Sequence, residues 1–301
     1  MEEERINEEA LNEEAPISGK QDVTRHKLLD RVVISFFLMI IAGLIFVNLG
    51  DIIIDKPLGA FLEGRGHHNY GTGVGAAVGA LLWLLMFRLK FRKEGYQGQL
   101  GFGNFFKGMG IVLSAIVICG FLNIGDAVMN GHSDILVSLL CALAPGFSEE
   151  IVLRGPGLSN MMRKAGGEKD LLLAWWLPAV TFGLMHSANI LAGASFSATV
   201  LQVVYATGIG LIYGAAVLRT GTLWPSIVAH YLTDFAAYLG KTVYESQGVL
   251  NMEIGRTEFT VTMIISVLFI LIGLFLMRKS KRPEAMAVWA EKWNRNGVST
   301  L

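Results

Sequence analysis

Long stretches without any Asp, Glu, Lys or Arg constrain this chain more than any other feature. They cover residues 32–50, 66–87, 108–125, 135–148 and 259–277. Between Asp170 and Arg219 the only group that titrates near neutrality is His186. Spans of about 20 apolar residues cross a bilayer as helices. At 52% hydrophobic and 17% charged residues, the chain departs from soluble composition in the same direction. The sequence therefore predicts an all-α, polytopic membrane protein with about eight transmembrane helices. These start near residues 32, 70, 109, 135, 171, 196, 223 and 259.

Charge is partitioned by loop, so the net value of zero carries little meaning. Basic residues crowd the segment before the first span and the loops after the second, fourth, sixth and eighth. That alternation follows the positive-inside rule. It predicts a multi-pass protein of the cell membrane with both termini cytoplasmic and the lipid bilayer as its surroundings; no nucleic-acid partner is expected. Residues 1–14 hold seven glutamates and almost nothing to bury. A disordered acidic tail is expected over 1–27, a helical membrane domain over 28–278 and a cytoplasmic tail over 279–301, where Trp289 and Trp293 suggest a short interfacial helix. Trp175 and Trp176 read as interfacial too. Cys119 and Cys141 lie inside apolar spans and read as small buried hydrophobes. Gly71, Gly73, Gly75 and Gly79 form a small-residue face suited to close helix packing.

Against this background the ionisable residues inside spans stand out. The fourth span runs into Glu149 and Glu150, followed by Arg154. A charge at mid-bilayer costs roughly 2.5–3.5 kcal/mol even on insertion scales. On a helix Glu150 and Arg154 are one turn apart, in the favoured order for an ion pair. Glu149 points about 100° away and stays available. One reading places the pair at the water interface; the other makes it a site. Phe182 and His186 share a face of the fifth span, and His230 and Asp234 share a face of the seventh. Three helices aiming polar groups at one another is the arrangement that spares lipid contact, which favours the site. Its chemistry is proton transfer. A carboxylate in a poorly hydrated pocket can take a proton from water and return it to a leaving amine, with histidine assisting or donating to an oxyanion. Ser148 and Ser187 lack a partner that would make either a nucleophile.

The motifs Glu149-Glu150-Ile-Val-Leu-Arg154, Phe182-Gly-Leu-Met-His186 and His230-Tyr-Leu-Thr-Asp234 resemble those of the CPBP family. That family includes the CAAX-processing membrane endopeptidases and the bacterial Abi proteins. The similarity spans about residues 142–239, the expected protease core. The resemblance implies an intramembrane endopeptidase acting on peptides or membrane-associated proteins. In it Glu149 activates water with help from His186, Glu150 and Arg154 hold the helix in shape, and His230 and Asp234 line the oxyanion site. The CAAX-processing branch usually has asparagine at the last position. Asp234 donates a hydrogen bond only when protonated, and otherwise orients His230. Catalysis without a metal is expected, because His and carboxylate suffice for the proton transfers. The alternative is zinc on Glu149, His186 and His230, a ligand type found at catalytic zinc, although no His-Glu-x-x-His helix is present. A non-catalytic scaffold, immunity protein or transporter is the rival from another class; neither repeat symmetry nor paired broken helices support transport.

One tension remains within the sequence. His186 lies about 22 Å along its helix from Leu171 at ~1.5 Å per residue, whereas Glu149 falls near the end of its span. The depths agree if the bilayer begins nearer the Trp pair or if the fourth span continues past Arg154. Gly155 and Pro156 predict instead a kink or re-entry there.

Overall fold

The computed structural model describes residues 17–67, 72–240 and 255–294. Helix α1 (Ile17–Gly50) passes through a widened π-type turn at Asp51–Asp55 into α2 (Lys56–Glu63). Residues 17–27, expected within the tail, are helical and continue without a break into the first span. The rest of that tail and most of the polar loop after residue 240 lie outside the described residues. Helices α3 (Val74–Phe91) and α4 (Phe105–Asn130) follow. The fourth span is composite: α5 (Ile135–Cys141), a π-type turn at Ala144–Glu149, α6 (Glu150–Val152), a second such turn at Leu153–Gly157 and α7 (Leu158–Lys164). Then come α8 (Glu168–Met185), α9 (Phe196–Thr220), α10 (Trp224–Leu239), α11 (Arg256–Leu276) and α12 (Arg282–Lys292). Among the described residues seven helical stretches are long and apolar enough to cross a membrane. The eighth expected span is α10, whose 16 residues reach about 24 Å, short of the ~30 Å hydrocarbon core.

Small residues decide how the helices approach. A Cβ added to Gly75 would lie 2.1 Å from the Gly50 carbonyl oxygen, and one added to Gly79 would lie 2.1 Å from that of Phe46. The expected small-residue face thus seats α3 on α1, while Gly73 turns the chain at φ +67° against Ala144. Helix α9 is the hub. Gly208 faces Phe269 of α11, Gly210 faces Ala179 of α8, and Gly214 faces Trp175. Trp175 donates its indole N–H to Leu211 O at 2.8 Å and is 2% exposed, so it is a core residue; Trp176 alone of the pair is exposed, at 36%.

Two polar caps were not foreseen. The buried carboxylate of Asp55 accepts from Gly75 N and Ala76 N at 2.9 Å each and from the Thr72 hydroxyl, capping α3 from the neighbouring segment. Asp134 caps α5 through Leu136 N (2.9 Å) and Val137 N (3.2 Å) and pairs with His67 Nδ1 at 2.6 Å. The hydrogen bond from His67 outweighs partial burial and holds the Asp134 carboxyl below the usual carboxylate range.

The C-terminal segment is no peripheral tail. Trp289 and Trp293 are 1% and 4% exposed. Trp289 donates to Leu218 O at 3.1 Å, and Trp293 stacks on Tyr96 with ring centroids 4.4 Å apart. Their partners come from distant sequence, so an amphipathic pattern alone could not separate a protein face from a lipid interface. Glu284 of α12 meets Lys107 Nζ at 2.6 Å and Arg219 Nε at 3.1 Å. Burial alone would raise its carboxyl, but the Lys107 hydrogen bond and the Arg219 and Lys107 charges hold it below the usual 4.5.

Two outcomes follow from this packing. Gly79→Val should force α1 and α3 apart and destabilise the protein by about 1–3 kcal/mol in detergent unfolding, whereas Gly120→Ala, with open space at its Cβ, should be neutral or mildly stabilising. Because the folded pKa of Glu284 is depressed, its contribution is present above the unfolded value near 4.5 and is lost as pH falls through the folded value. Glu284→Gln should therefore unfold at a lower temperature than wild type at pH 7, with the gap closing in acid.

Candidate active site

The fourth span continues past Arg154 to Lys164, which places Glu149 and Glu150 near its middle and settles the mismatch of depths. The break falls at Gly155, with φ −77° and ψ −111°, where Pro156 cannot donate an N–H. Upstream, the π-type turn at Ala144–Glu149 carries Pro145 and Gly146. A Cβ on Gly146 would sit 2.9 Å from the Tyr231 Cβ, so only glycine lets α10 approach this closely just before the glutamates. The Ser148 hydroxyl bonds to Ala144 O at 2.5 Å and that of Ser187 to Leu184 O at 2.6 Å, which leaves both turned to main chain.

At the centre Arg154 Nη1 meets Glu150 Oε1 at 2.6 Å, with both side chains fully buried. The expected one-turn ion pair is therefore present. Arg154 also donates to Gly210 O at 3.3 Å and lies over the rings of Phe182 (5.2 Å) and Tyr213 (5.8 Å). Such a pair survives burial only with this many partners, since desolvation otherwise exceeds the Coulomb gain.

His230 joins the pair. Its Nδ1 lies 3.1 Å from Glu150 Oε1, and because a carboxylate accepts, Nδ1 is the donor. The other ring nitrogen, Nε2, lies 3.8 Å from Glu149 Oε2 and 3.8 Å from Asp234 Oδ2. This differs from one expectation: the carboxylate hydrogen-bonded to His230 is Glu150, and Asp234 stands on the opposite ring nitrogen. Sequence spacing carries no sign of it, since Glu150 and His230 are distant along the chain. Phe182 packs edge-on against both histidines, at 5.0 Å from His186 and 5.6 Å from His230, and Tyr213 covers the other face of His230 at 5.6 Å.

His186 closes α8, and its Nδ1 donates to Phe182 O at 2.9 Å. In a neutral ring Nε2 is then the acceptor. The His186 ring lies within electrostatic range of both Glu149 and Asp234. Glu149 and Asp234 keep side-chain exposures of 34% and 30%, against 0% for Glu150, so the first two face the accessible side and the third faces the core. All six residues singled out by sequence thus converge. Among the described residues no trio of His, Cys, Asp or Glu is arranged to hold a metal ion.

Fold and site together define an all-α, multi-pass membrane protein with a buried carboxylate–histidine centre. Residues 131–236 match the family model described as type II CAAX prenyl endopeptidase Rce1-like, in agreement with the CPBP resemblance. The match supports a membrane endopeptidase in general terms, and it takes in the Asp134 cap as well as the three motifs. Comparison with curated proteins and with solved structures gives no match.

Removing Glu150 strands a buried guanidinium and frees His230 Nδ1. Glu150→Ala should destabilise the protein by about 3–5 kcal/mol. Glu149→Gln loosens only the partly exposed 3.8 Å contact to His230 Nε2 and should change unfolding by less than about 1 kcal/mol, a contrast that thermal unfolding in detergent checks directly.

Proposed function

We propose that this protein is an intramembrane endopeptidase that hydrolyses peptide bonds of peptides or membrane-associated proteins with water activated by Glu149. The observation that carries the reading is the convergence of three helices on one partly accessible cluster, with Glu150 spent on Arg154 and His230 while Glu149 remains available.

In the proposed reaction Glu149 takes a proton from water as the oxygen attacks the scissile carbonyl carbon. His186 Nε2 accepts a hydrogen bond from the second O–H of the water, which stays on the oxygen, and so fixes the direction of attack. The carbonyl oxygen becomes an oxyanion beside His230 and Asp234, where a proton held between His230 Nε2 and the carboxylate is the donor. When the tetrahedral intermediate collapses, the C–N bond breaks and Glu149 returns its proton to the leaving amine. His and carboxylate groups suffice for each transfer, so the proposal needs no metal. The basic loops favour a cell-membrane protein with both termini cytoplasmic and a site opening toward the cytoplasmic half.

The test compares wild type with Glu149→Gln in detergent, with and without chelator, on a peptide library read by mass spectrometry. Cleavage by wild type should survive chelation and fall by about 10²–10⁴-fold in the variant. Equal cleavage by the variant removes Glu149 from the mechanism. Loss on chelation with recovery on added zinc replaces the metal-free reaction by the zinc one.

A further inference from the structure

The break at Gly155 creates a problem that a residue far away in sequence solves. In a regular helix the amide of Leu158 would serve the carbonyl of Arg154. Here that amide turns to Gly155 O. The Arg154 carbonyl instead receives Gln99 Nε2 at 2.9 Å, from the segment joining α3 to α4. The orientation of the amide is unambiguous, because a carbonyl needs a donor and only Nε2 provides one. Gln99 Oε1 accepts from Ser159 Oγ at 2.7 Å and from Tyr96 OH at 2.9 Å, and the two hydroxyls are themselves 2.9 Å apart. Burial pushes the Tyr96 phenol well above its usual range, so it stays a donor. Gln99 is 1% exposed, and the atoms at both ends of its side chain are engaged.

Its main chain faces the other half of the site. Gln99 O accepts from Leu223 N at 2.9 Å, immediately before α10, and Leu100 O accepts from the Trp224 indole at 3.0 Å. One residue therefore ties the helix of Glu149, Glu150 and Arg154 to the helix of His230 and Asp234. It lies outside the segment that matches the family model, and no motif contains it.

We infer that Gln99 is a positioning residue of the site: it holds the main chain of Arg154 and the start of α10 in register, and so keeps Glu150 against His230 Nδ1. The inference rests on the function proposed above for its kinetic consequence, but its structural consequence stands apart from turnover. A mere packing role would need the volume of Gln99 and not its amide. Gln99→Met keeps the volume and removes the hydrogen bonds.

The experiment has two arms on the full chain in detergent. In the first, imidazole-¹⁵N-labelled protein reports the ring nitrogens of His230, assigned by their disappearance in His230→Gln. Wild type should show Nδ1 as the fixed N–H, and Gln99→Met should mix the tautomers and move the titration of that ring. In the second, Gln99→Met should lower kcat on a cleaved peptide by about 10–100-fold and displace the pH profile, with KM changed less than about twofold. If Gln99→Met does not fold, Tyr96→Phe, which removes one bond to Gln99 Oε1, should shift the same spectrum and profile by a smaller amount. Unchanged His230 signals in the folded variant overturn the inference, as does an unchanged kcat and pH profile. If wild type cleaves nothing while the His230 signals move, the positioning role stands and it is the protease reading that fails.

Discussion

The Glu150–Arg154 pair governs this molecule. Two opposite charges with no exposure exist in an apolar bundle only when neighbouring polar groups offset their desolvation, as Gly210 O does for Arg154 and His230 for Glu150. That requirement reaches outward. Arg154 needs Gly210 O, which requires α9 to lie against the broken span, and a side chain at Gly210 would sit 3.1 Å from the guanidinium. Glu150 needs His230, which requires α10 at the same depth. The small residues of α9 and the glycine at 146 are the steric terms on which these polar contacts can form. Packing here serves electrostatics as much as the reverse.

The site residues were legible in the sequence because the bilayer makes an ionisable group inside a span hard to place without a reason. Periodicity was enough to pair Glu150 with Arg154 and to put His186 below Phe182. Contacts between distant helices were not legible. The bond from His230 to Glu150 depends on the packing of α10 against the broken span, and the sequence offered Asp234, one turn away, as the orienting group. Local spacing favours such neighbours and is blind to tertiary ones. The break at Gly155 and Pro156 was visible as punctuation, but whether the span continued, stopped or re-entered depended on donors elsewhere, among them Gln99. The burial of helix α12, whose tryptophans had suggested a short interfacial helix, was hidden for a different reason. Its charges gave it the composition of a tail, while its tryptophans bury against main-chain carbonyl and aromatic partners contributed by other segments.

The broken span and α10 are held together at both ends. At one end Ser133 N bonds to Leu239 O at 2.9 Å, and Ser133 Oγ and Ser138 Oγ reach Tyr238 O at 2.5 and 3.1 Å. At the other, Gln99 bridges Arg154 to Leu223. Between these clamps lies the first π-type turn, and the second, with its glycine break, sits at the Gln99 clamp itself; such features leave a helix free to flex. Fixing the ends makes those irregularities useful. They turn Glu150 toward α10 while the clamps hold the span, a placement that the reaction proposed above, sensitive to displacements near 1 Å, would need.

The same geometry separates two carboxylates that are adjacent in sequence. Glu150 has its charge matched by Arg154 and a hydrogen bond from His230, so proton transfer from it would disturb the core. Among the described residues Glu149 makes its ion-pair contact with His230 Nε2 at 3.8 Å, a distance that leaves the contact loose, and it shares that nitrogen with Asp234. With Nδ1 committed as a donor to Glu150, a neutral His230 would turn its lone pair toward two carboxylates. One proton placed among the three groups removes that repulsion. A carbonyl oxygen that gains negative charge in a reaction would draw on the same proton. The buried pair thus fixes the polarity of His230, and the polarity of His230 makes the outer face of the cluster a place where one proton and one developing negative charge belong together.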